Sequence, residues 1–452
     1  MQATICSQIE AAGMGSADHL LVAVSGGIDS VVLLRLLSVA SNQFGFRLSV
    51  AHFDHQIRPE SRAEAEFVEQ LCERMRLSFF FGSGDVPAFA KEEKISLEMA
   101  ARQLRRVFLL RTAKRLDARL IALAHHRDDQ VETFFLRLLR GSGSAGLAAM
   151  KTLNSCWWRP LLGCSREQIL DFARKENLNW VEDGSNADTS ILRNRVRHEV
   201  LPQLRELNPQ LDERLSVLSA QFQADEDFWQ QHVAKTITAL IVDHSDGLRL
   251  DRQKLLGLHA ALRVRVVREA LRQVRGDLQR IEAVHLQSIL SLLTAHRSQS
   301  QLDIPDCWVA RRYQFLWLRK KAPEKVAAYA FELPVPGRVD LPDGRFLRAV
   351  FTEKKAGESA FSVEFDAVRV KFPLLVRNWQ FGDVFHPQGM PGKKKLKRLF
   401  SDEKIELEER DRVPLIVSGE EILWVAGMRR SQQAPVSADS AQILRLELLE
   451  GD

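Results

Sequence analysis

Between residue 1 and about residue 205 the chain alternates short apolar runs with amphipathic stretches. Leu20–Val24 reads as a buried strand and Asp29–Leu37 as a helix, which leaves Ser25–Gly26–Gly27–Ile28 as the loop between them. Further strands are expected at Leu48–Phe53, Ser78–Phe81 and Ala118–Ala124, and helices at Ser61–Arg76, Ser96–Arg115 and Asp128–Arg140. Such alternation predicts a parallel sheet with helices on both faces, and ligands then sit at the carboxyl ends of the strands. From about 206 to 300 the pattern is almost wholly helical. In Ala261–Arg275, Leu262, Val266, Ala270 and Val274 form an apolar stripe, while Arg268, Arg272 and Arg275 share the opposite side as a solvated face or a nucleic-acid contact. Val309–Leu318 and Phe331–Val350 alternate as strands, the latter around a Pro342–Asp343–Gly344 turn, so a small β-containing domain closes the chain.

At 452 residues the chain is too long for one core. The changes of pattern divide it into three expected domains, 1–205, 206–325 and 326–452. No apolar run approaches ~20 residues and no basic-then-apolar leader opens the chain, so neither a membrane span nor secretion is expected. Cys6, Cys72, Cys156, Cys164 and Cys307 are far apart and form no CxxC pair, which fits a reduced cytoplasmic setting without a zinc or iron–sulfur centre. A net charge of +5 permits a polyanionic partner without demanding one.

Three expected strand ends carry polar clusters: Ser25–Ser30, Asp54–Arg58 and His125–Asp129. Glycines at 26 and 27 let the backbone approach a ligand, and the following helix start offers unpaired N–H donors to phosphate. A kinase-type loop would place a lysine here. This chain has Asp29, which tolerates phosphate only with a divalent cation between them. That combination suits a site gripping departing pyrophosphate, with attack at the α phosphorus. Asp129 and Glu132 lie three apart at a helix start and share a face; they hold Mg²⁺, receive an ammonium group, or cap the helix. Glu98 and Arg102 are four apart, as in an intrahelical pair worth ~0.3–0.5 kcal/mol, unless Arg102 contacts a phosphate or carboxylate. Arg193 and Arg197 share a helical face, a spacing that tracks a phosphodiester backbone. Lys393–Arg398 (KKKLKR), beside Gly389 and Gly392, reads as a basic loop: a phosphate contact or a solvated tip.

SGGIDS, DHQIRPES, EMAAR, HHRDDQVET, RPLL, EDGSNAD and RNRVRHEVLP occur in this order across residues 25–202, followed by Arg377–Asn378, Gly382–Asp383, Lys394–Lys397, Arg410 and Trp424–Gly427. Together they resemble the tRNA(Ile)-lysidine synthetases of the PP-loop ATP pyrophosphatase group. Two departures stand out: Gln56–Ile57 where the resemblance leads one to expect Gly-Leu, and Glu406 where it leads one to expect proline. The resemblance implies an α/β fold. Its catalytic domain has a parallel sheet of the PP-loop type (Rossmann-like, adenine nucleotide alpha hydrolase type), followed by a helical domain and a small α+β C-terminal domain.

It also implies two steps: ATP adenylates the C2 oxygen of the wobble cytidine in a CAU-anticodon isoleucine tRNA, then the ε-amine of free L-lysine displaces AMP. By the same carry-over Ser25, Gly26, Gly27, Ile28, Asp29 and Ser30 bind ATP. Asp29, Asp129 and Glu132 are the catalytic and Mg²⁺-holding carboxylates, the latter two facing Mg²⁺ or the lysine amine. Arg102 and Arg193 contact substrate, and Lys394, Lys395 and Lys397 hold the tRNA away from the reacting base. A homodimer is compatible with this reading. A glutamine-dependent relative would want a cysteine where Gln2 stands, and a cluster-bearing thiolase would want a CxxC pair. An RNA-binding scaffold with a decayed nucleotide site would have no need of three carboxylates near phosphate.

Overall fold

A computed structural model describes residues 1–56, 61–182, 192–243, 246–390 and 392–451. The expected cluster residue Arg58 and most of EDGSNAD, residues 183–188, lie outside the described residues. The chain divides into two compact units, Met1–Gln230 and Gln231–Asp452.

The first unit opens with α1 (Gln2–Ala11), β1 (His19–Ala23), α2 (Ile28–Phe44), β2 (Arg47–Asp54), α3 (Ser61–Met75) and β3 (Ser78–Ser83). It continues through α4 (Val86–Glu93), α5 (Leu97–Leu116), β4 (Leu120–Ala122), α6 (Arg127–Leu139), α7 (Ser144–Leu147), β5 (Leu153–Asn154) and β6 (Trp157–Trp158). Then come α8 (Arg166–Lys175), α9 (Leu192–Arg195), α10 (Leu201–Leu207) and α11 (Leu211–Leu240), the last crossing into the second unit. The strands form one sheet in the order β3-β2-β1-β4-β6-β5, parallel except for the terminal β5–β6 pair. Alternate side chains of β1 divide between two cores. Leu20 and Val22 pack with Val32, Leu33 and Leu36 of α2, and Leu21 packs with Leu109 and Ala113 of α5. Helices therefore cover both faces, as the uninterrupted apolar strands require.

The second unit begins with β7 (Ile241–Asp243), β8 (Leu248–Asp251), α12 (Arg252–Gly257), α13 (Ala260–Arg275), α14 (Ala283–Thr294), β9 (Gln299–Ile304), β10 (Cys307–Arg312) and β11 (Phe315–Arg319). Its antiparallel sheet, β7-β8-β11-β10-β9, corrects the nearly all-helical expectation for 206–300. The β7–β8 strands are too short to impose a period-2 signal between strongly periodic helices. At Gly247 a Cβ would meet the Leu318 carbonyl oxygen at 2.4 Å, so close strand approach demands glycine there. Val266, Ala270 and Val274 face the core as expected, but Arg275 leaves the arginine stripe. Its side chain is buried and donates to the carbonyls of Asp277 and Gln279, tying down the loop after α13.

The closing region contains β12 (Ala330–Leu333), β13 (Gly337–Asp340), β14 (Phe346–Thr352), β15 (Ser362–Asp366), β16 (Leu374–Arg377), β17 (Val384–Phe385) and β18 (Lys394–Lys395). After them come α15 (Leu396–Asp402), α16 (Leu407–Arg410), β19 (Leu415–Ser418), β20 (Glu421–Val425), β21 (Arg429–Arg430) and β22 (Ile443–Leu449). Two antiparallel sheets, β12-β16-β19-β20-β21 and β13-β14-β22-β15, enclose Leu347, Phe365, Val376, Trp424 and Leu446. The expected basic loop is in fact β18 running into α15, because Leu396, Leu399 and Phe400 form an apolar face that packs on Leu415 and Val417. No helix among the described residues is long and apolar enough to cross a membrane.

Candidate active site

The strand order reverses between β1 and β4, which are neighbours although far apart in sequence. A crevice at such a switch point is where open parallel sheets bind ligands. The β1 end carries the Ser25–Ser30 loop and the β4 end carries His125–Asp129. Gly26 has φ +96°, and a Cβ there would meet only ordinary contacts with Val68, Phe67 and Val181, so backbone angle rather than space demands glycine. The Val181 N–H donates to the Gly26 carbonyl at 3.0 Å, and His52 Nδ1 lies 2.9 Å from the Val24 carbonyl. Ser30 Oγ donates to the Gly27 carbonyl at 2.8 Å and accepts from the Ser25 N–H at 3.2 Å. The turn is thus braced, with Gly27 as N-cap, Ile28 as the first helical residue and Asp29 in the first turn. Such a turn at a helix N-terminus can cradle an anion.

Across the crevice, His126 Nε2 lies 3.7 Å from Asp29 Oδ2 and 3.5 Å from Asp129 Oδ2, so one buried imidazole stands between two carboxylates. Asp129 Oδ2 also accepts from the His126 N–H at 3.0 Å, capping α6, while Asp129 Oδ1 accepts from Arg193 at 2.7 Å. Glu132 is fully buried; Arg193 Nε donates to its Oε2 at 2.7 Å and Arg197 Nε to its Oε1. Asp128, rotated around the helix, instead accepts from Arg205 and from the Arg166 N–H.

Burial raises the Asp29 carboxyl above its ordinary range, and the Asp129 charge adds to this against His126, Arg166 and Arg197. Burial pushes Asp129 in the same direction, but His126, Arg193 and His125 outweigh it and the net direction is downward. Asp29 Oδ1 is buried with no hydrogen-bond partner among the described residues. An acceptor left bare beside a second carboxylate and a phosphate cradle is a fit for a hard divalent cation with oxygen ligands. Burial also lowers His125 to about 3, and burial together with Arg105 lowers His55 to about 4.

The structure brings Ser25–Ser30, Asp29, Asp129, Glu132 and Arg193 together. Arg193 and Arg197 do not form an outward stripe. Their shared face, where α9 gives way to a π-helical turn at Val196–Val200, delivers both guanidinium groups to Glu132. Arg102 is exposed on α5, and its charge, after burial, lowers the pKa of Arg105, Arg137 and Arg159. Lys394, Lys395 and Lys397 belong to the second unit; Lys394 pairs with Asp402 at 2.7 Å, and Lys395 and Lys397 are exposed. From sequence, His126 has no role beyond the His125–Asp129 cluster, and Arg197 is placed only on the helical face of Arg193. The run of histidine beside Asp128–Asp129 and the i,i+4 arginines were the signals that could have found them.

Three family models match the chain: a PP-loop domain over residues 2–204, a TilS substrate binding domain over 250–317 and a TilS substrate C-terminal domain over 374–448. The tRNA(Ile)-lysidine synthase of Geobacter sulfurreducens is 35% identical, covering 94% of this chain and 91% of the relative. That of Caldanaerobacter subterraneus subsp. tengcongensis is 32% identical over 95% of this chain and 93% of its own length. That of Geobacillus kaustophilus is 33% identical over 95% and 94%. With relatives aligned nearly end to end and a nucleotide cradle facing paired carboxylates, the chain belongs to the tRNA(Ile)-lysidine synthase family.

Proposed function

We propose the following division of labour for an ATP-dependent, carbon–nitrogen bond-forming reaction on a CAU-anticodon isoleucine tRNA. The Ser25–Ile28 backbone and the start of α2 bind the ATP phosphates and orient the α phosphorus toward the C2 oxygen of the wobble cytidine. Asp29 and Asp129 would hold Mg²⁺, which when bound neutralises the phosphate oxygens and draws charge onto the leaving pyrophosphate. Asp129, kept ionised by its cationic neighbours, receives the ammonium of free lysine. The proton shed by that amine passes to the Asp129 carboxylate that receives it. The ε-nitrogen then bonds to C2 as the C2–O bond to AMP breaks, giving lysidine. Glu132 has both oxygens engaged by arginines and is a positioning residue, aiming Arg193 and Arg197 at the developing negative charge. Residues 1–205 carry the chemistry, while 206–325 and 326–452 hold the tRNA in a reduced cytoplasmic setting.

The single observation carrying the site assignment is the bare Asp29 Oδ1 at the mouth of the cradle. Its test is labelled-lysine incorporation into unfractionated bacterial tRNA with ATP and Mg²⁺, followed by mild alkali. Alkali-resistant label sits on a base rather than an ester and supports the reading. ATP turnover without fixed lysine points to another nucleophile, and neither event returns the RNA-scaffold reading.

A further inference from the structure

Phe381 is 91% exposed, the most exposed large apolar side chain among the described residues. Leaving such a ring in water forgoes the free energy of burying it. Yet the turn presenting it is heavily braced. Arg377 grips Asp383 through two 2.8 Å bonds, the Gln380 N–H donates to Asp383 Oδ2 at 2.7 Å, and Trp379 Nε1 donates to Asp411 at 2.7 Å. The Trp379 ring also meets Phe400 edge-on at 6.0 Å. The Asp383 carbonyl accepts from the Leu396 N–H at 2.9 Å, and Val384 pairs with Lys395. The ring therefore sits within two residues of a backbone joint to the KKKLKR segment, where Lys393, Lys395, Lys397 and Arg398 are exposed.

We propose that Phe381 is a stacking platform for an unpaired base of the tRNA, with these four cations holding the flanking phosphates. The inference rests on the functional reading above. A protein partner would want a contiguous apolar patch, whereas one exposed ring on a braced turn joined to a basic segment matches a nucleotide, which pairs a π face with a charged backbone. The base is unpaired because a duplex hides its base faces in the stack.

The test is binding of an unmodified CAU-anticodon isoleucine tRNA transcript to the full chain, with a blunt-ended RNA duplex as control. Phe381→Leu keeps apolar bulk but removes the π face. It should weaken tRNA binding about tenfold with unchanged salt dependence. Phe381→Trp should retain affinity, and the duplex should bind both variants equally. Lys395→Ala with Lys397→Ala should instead make the salt dependence shallower by about 1–2. An unchanged thermal midpoint shows that the leucine variant folds. Binding of tRNA by that variant within twofold of the parent chain overturns the proposal, as does an equal loss on the duplex or a change only in self-association. A parent chain that does not bind tRNA at all overturns the functional reading, and this inference with it.

Discussion

Asp29 is held in a position that costs stability. Burial opposes its charge, and Asp129 adds to that opposition. Asp29→Asn removes the charge while keeping the shape. It should therefore raise the thermal midpoint at pH 7 while cutting ATP-dependent pyrophosphate release by about 10²–10³-fold, with tRNA affinity unchanged. Survival of pyrophosphate release would remove Asp29 from the phosphate chemistry. The cradle residues and carboxylates were legible because glycines after a buried strand, and an aspartate where lysine is usual, have few other physical uses. The partners of Glu132 were not legible. A helical spacing tells which arginines share a face but not whether that face meets water or a buried carboxylate. The two departures from the family pattern also acquire a physical context. Gln56 has φ +51°, a left-handed angle that favours glycine, and Glu406 has φ −67°, an angle proline would adopt. In both cases the backbone suits the expected residue while the side chain differs.

At the scale of elements, Glu406 caps α16, Glu408 lies in its first turn, and both engage the sheet formed by β7 to β11. Arg249 donates to Glu406 at 2.6 Å, and the fully buried Arg312 donates to both oxygens of Glu408. Gln299 reinforces the junction by accepting from the Leu407 N–H at 2.9 Å. Removing one partner of a buried pair strands the other charge. Glu408→Ala should accordingly destabilise Gln231–Asp452 by about 3–5 kcal/mol in urea unfolding. Replacing Arg312 and Glu408 together with apolar residues should recover part of the loss. Equal losses in the single and double variants would mean that the packing, not the charge, carries the junction. Elements with long periodic signals were legible here, including β10, β11 and α13. Short pieces set by tertiary contact were not. β7 and β8 vanish between helices, and KKKLKR looks like a loop until Leu396, Leu399 and Phe400 are seen to pack as one face.

At the scale of the whole molecule, acid and nucleotide should act on Met1–Gln230 in ways that its buried groups define. Burial pushes His19, His52, His55 and His125 all toward the neutral form, His55 to about 4 and His125 to about 3. As pH falls below 6.5 the unfolded chain takes up protons that the folded chain refuses. Stability is therefore full above that value and is lost toward pH 4 and 3. Between pH 7.5 and 5.5 the loss should be roughly 1 kcal/mol for each of His55 and His125, and His55→Gln should flatten the curve by about one proton. Asp29, whose carboxyl is raised, works in the opposite sense as pH climbs past 3.8, but four imidazoles outnumber it. Nucleotide should stabilise the same unit. Ligand at a hundred times its Kd adds about 2.7 kcal/mol to whatever cooperative unit it binds. The cradle, Asp29, Asp129, Glu132 and both arginines all belong to Met1–Gln230. Hydrogen exchange with a non-hydrolysable ATP analogue and Mg²⁺ should then slow amides of β1, α2 and α6 and leave Gln231–Asp452 unchanged. Slowing in both units would show that nucleotide binding is coupled to the second unit. Adenylation would then be conditional on a conformational link between the halves, rather than on tRNA merely bringing its cytidine to a preformed site.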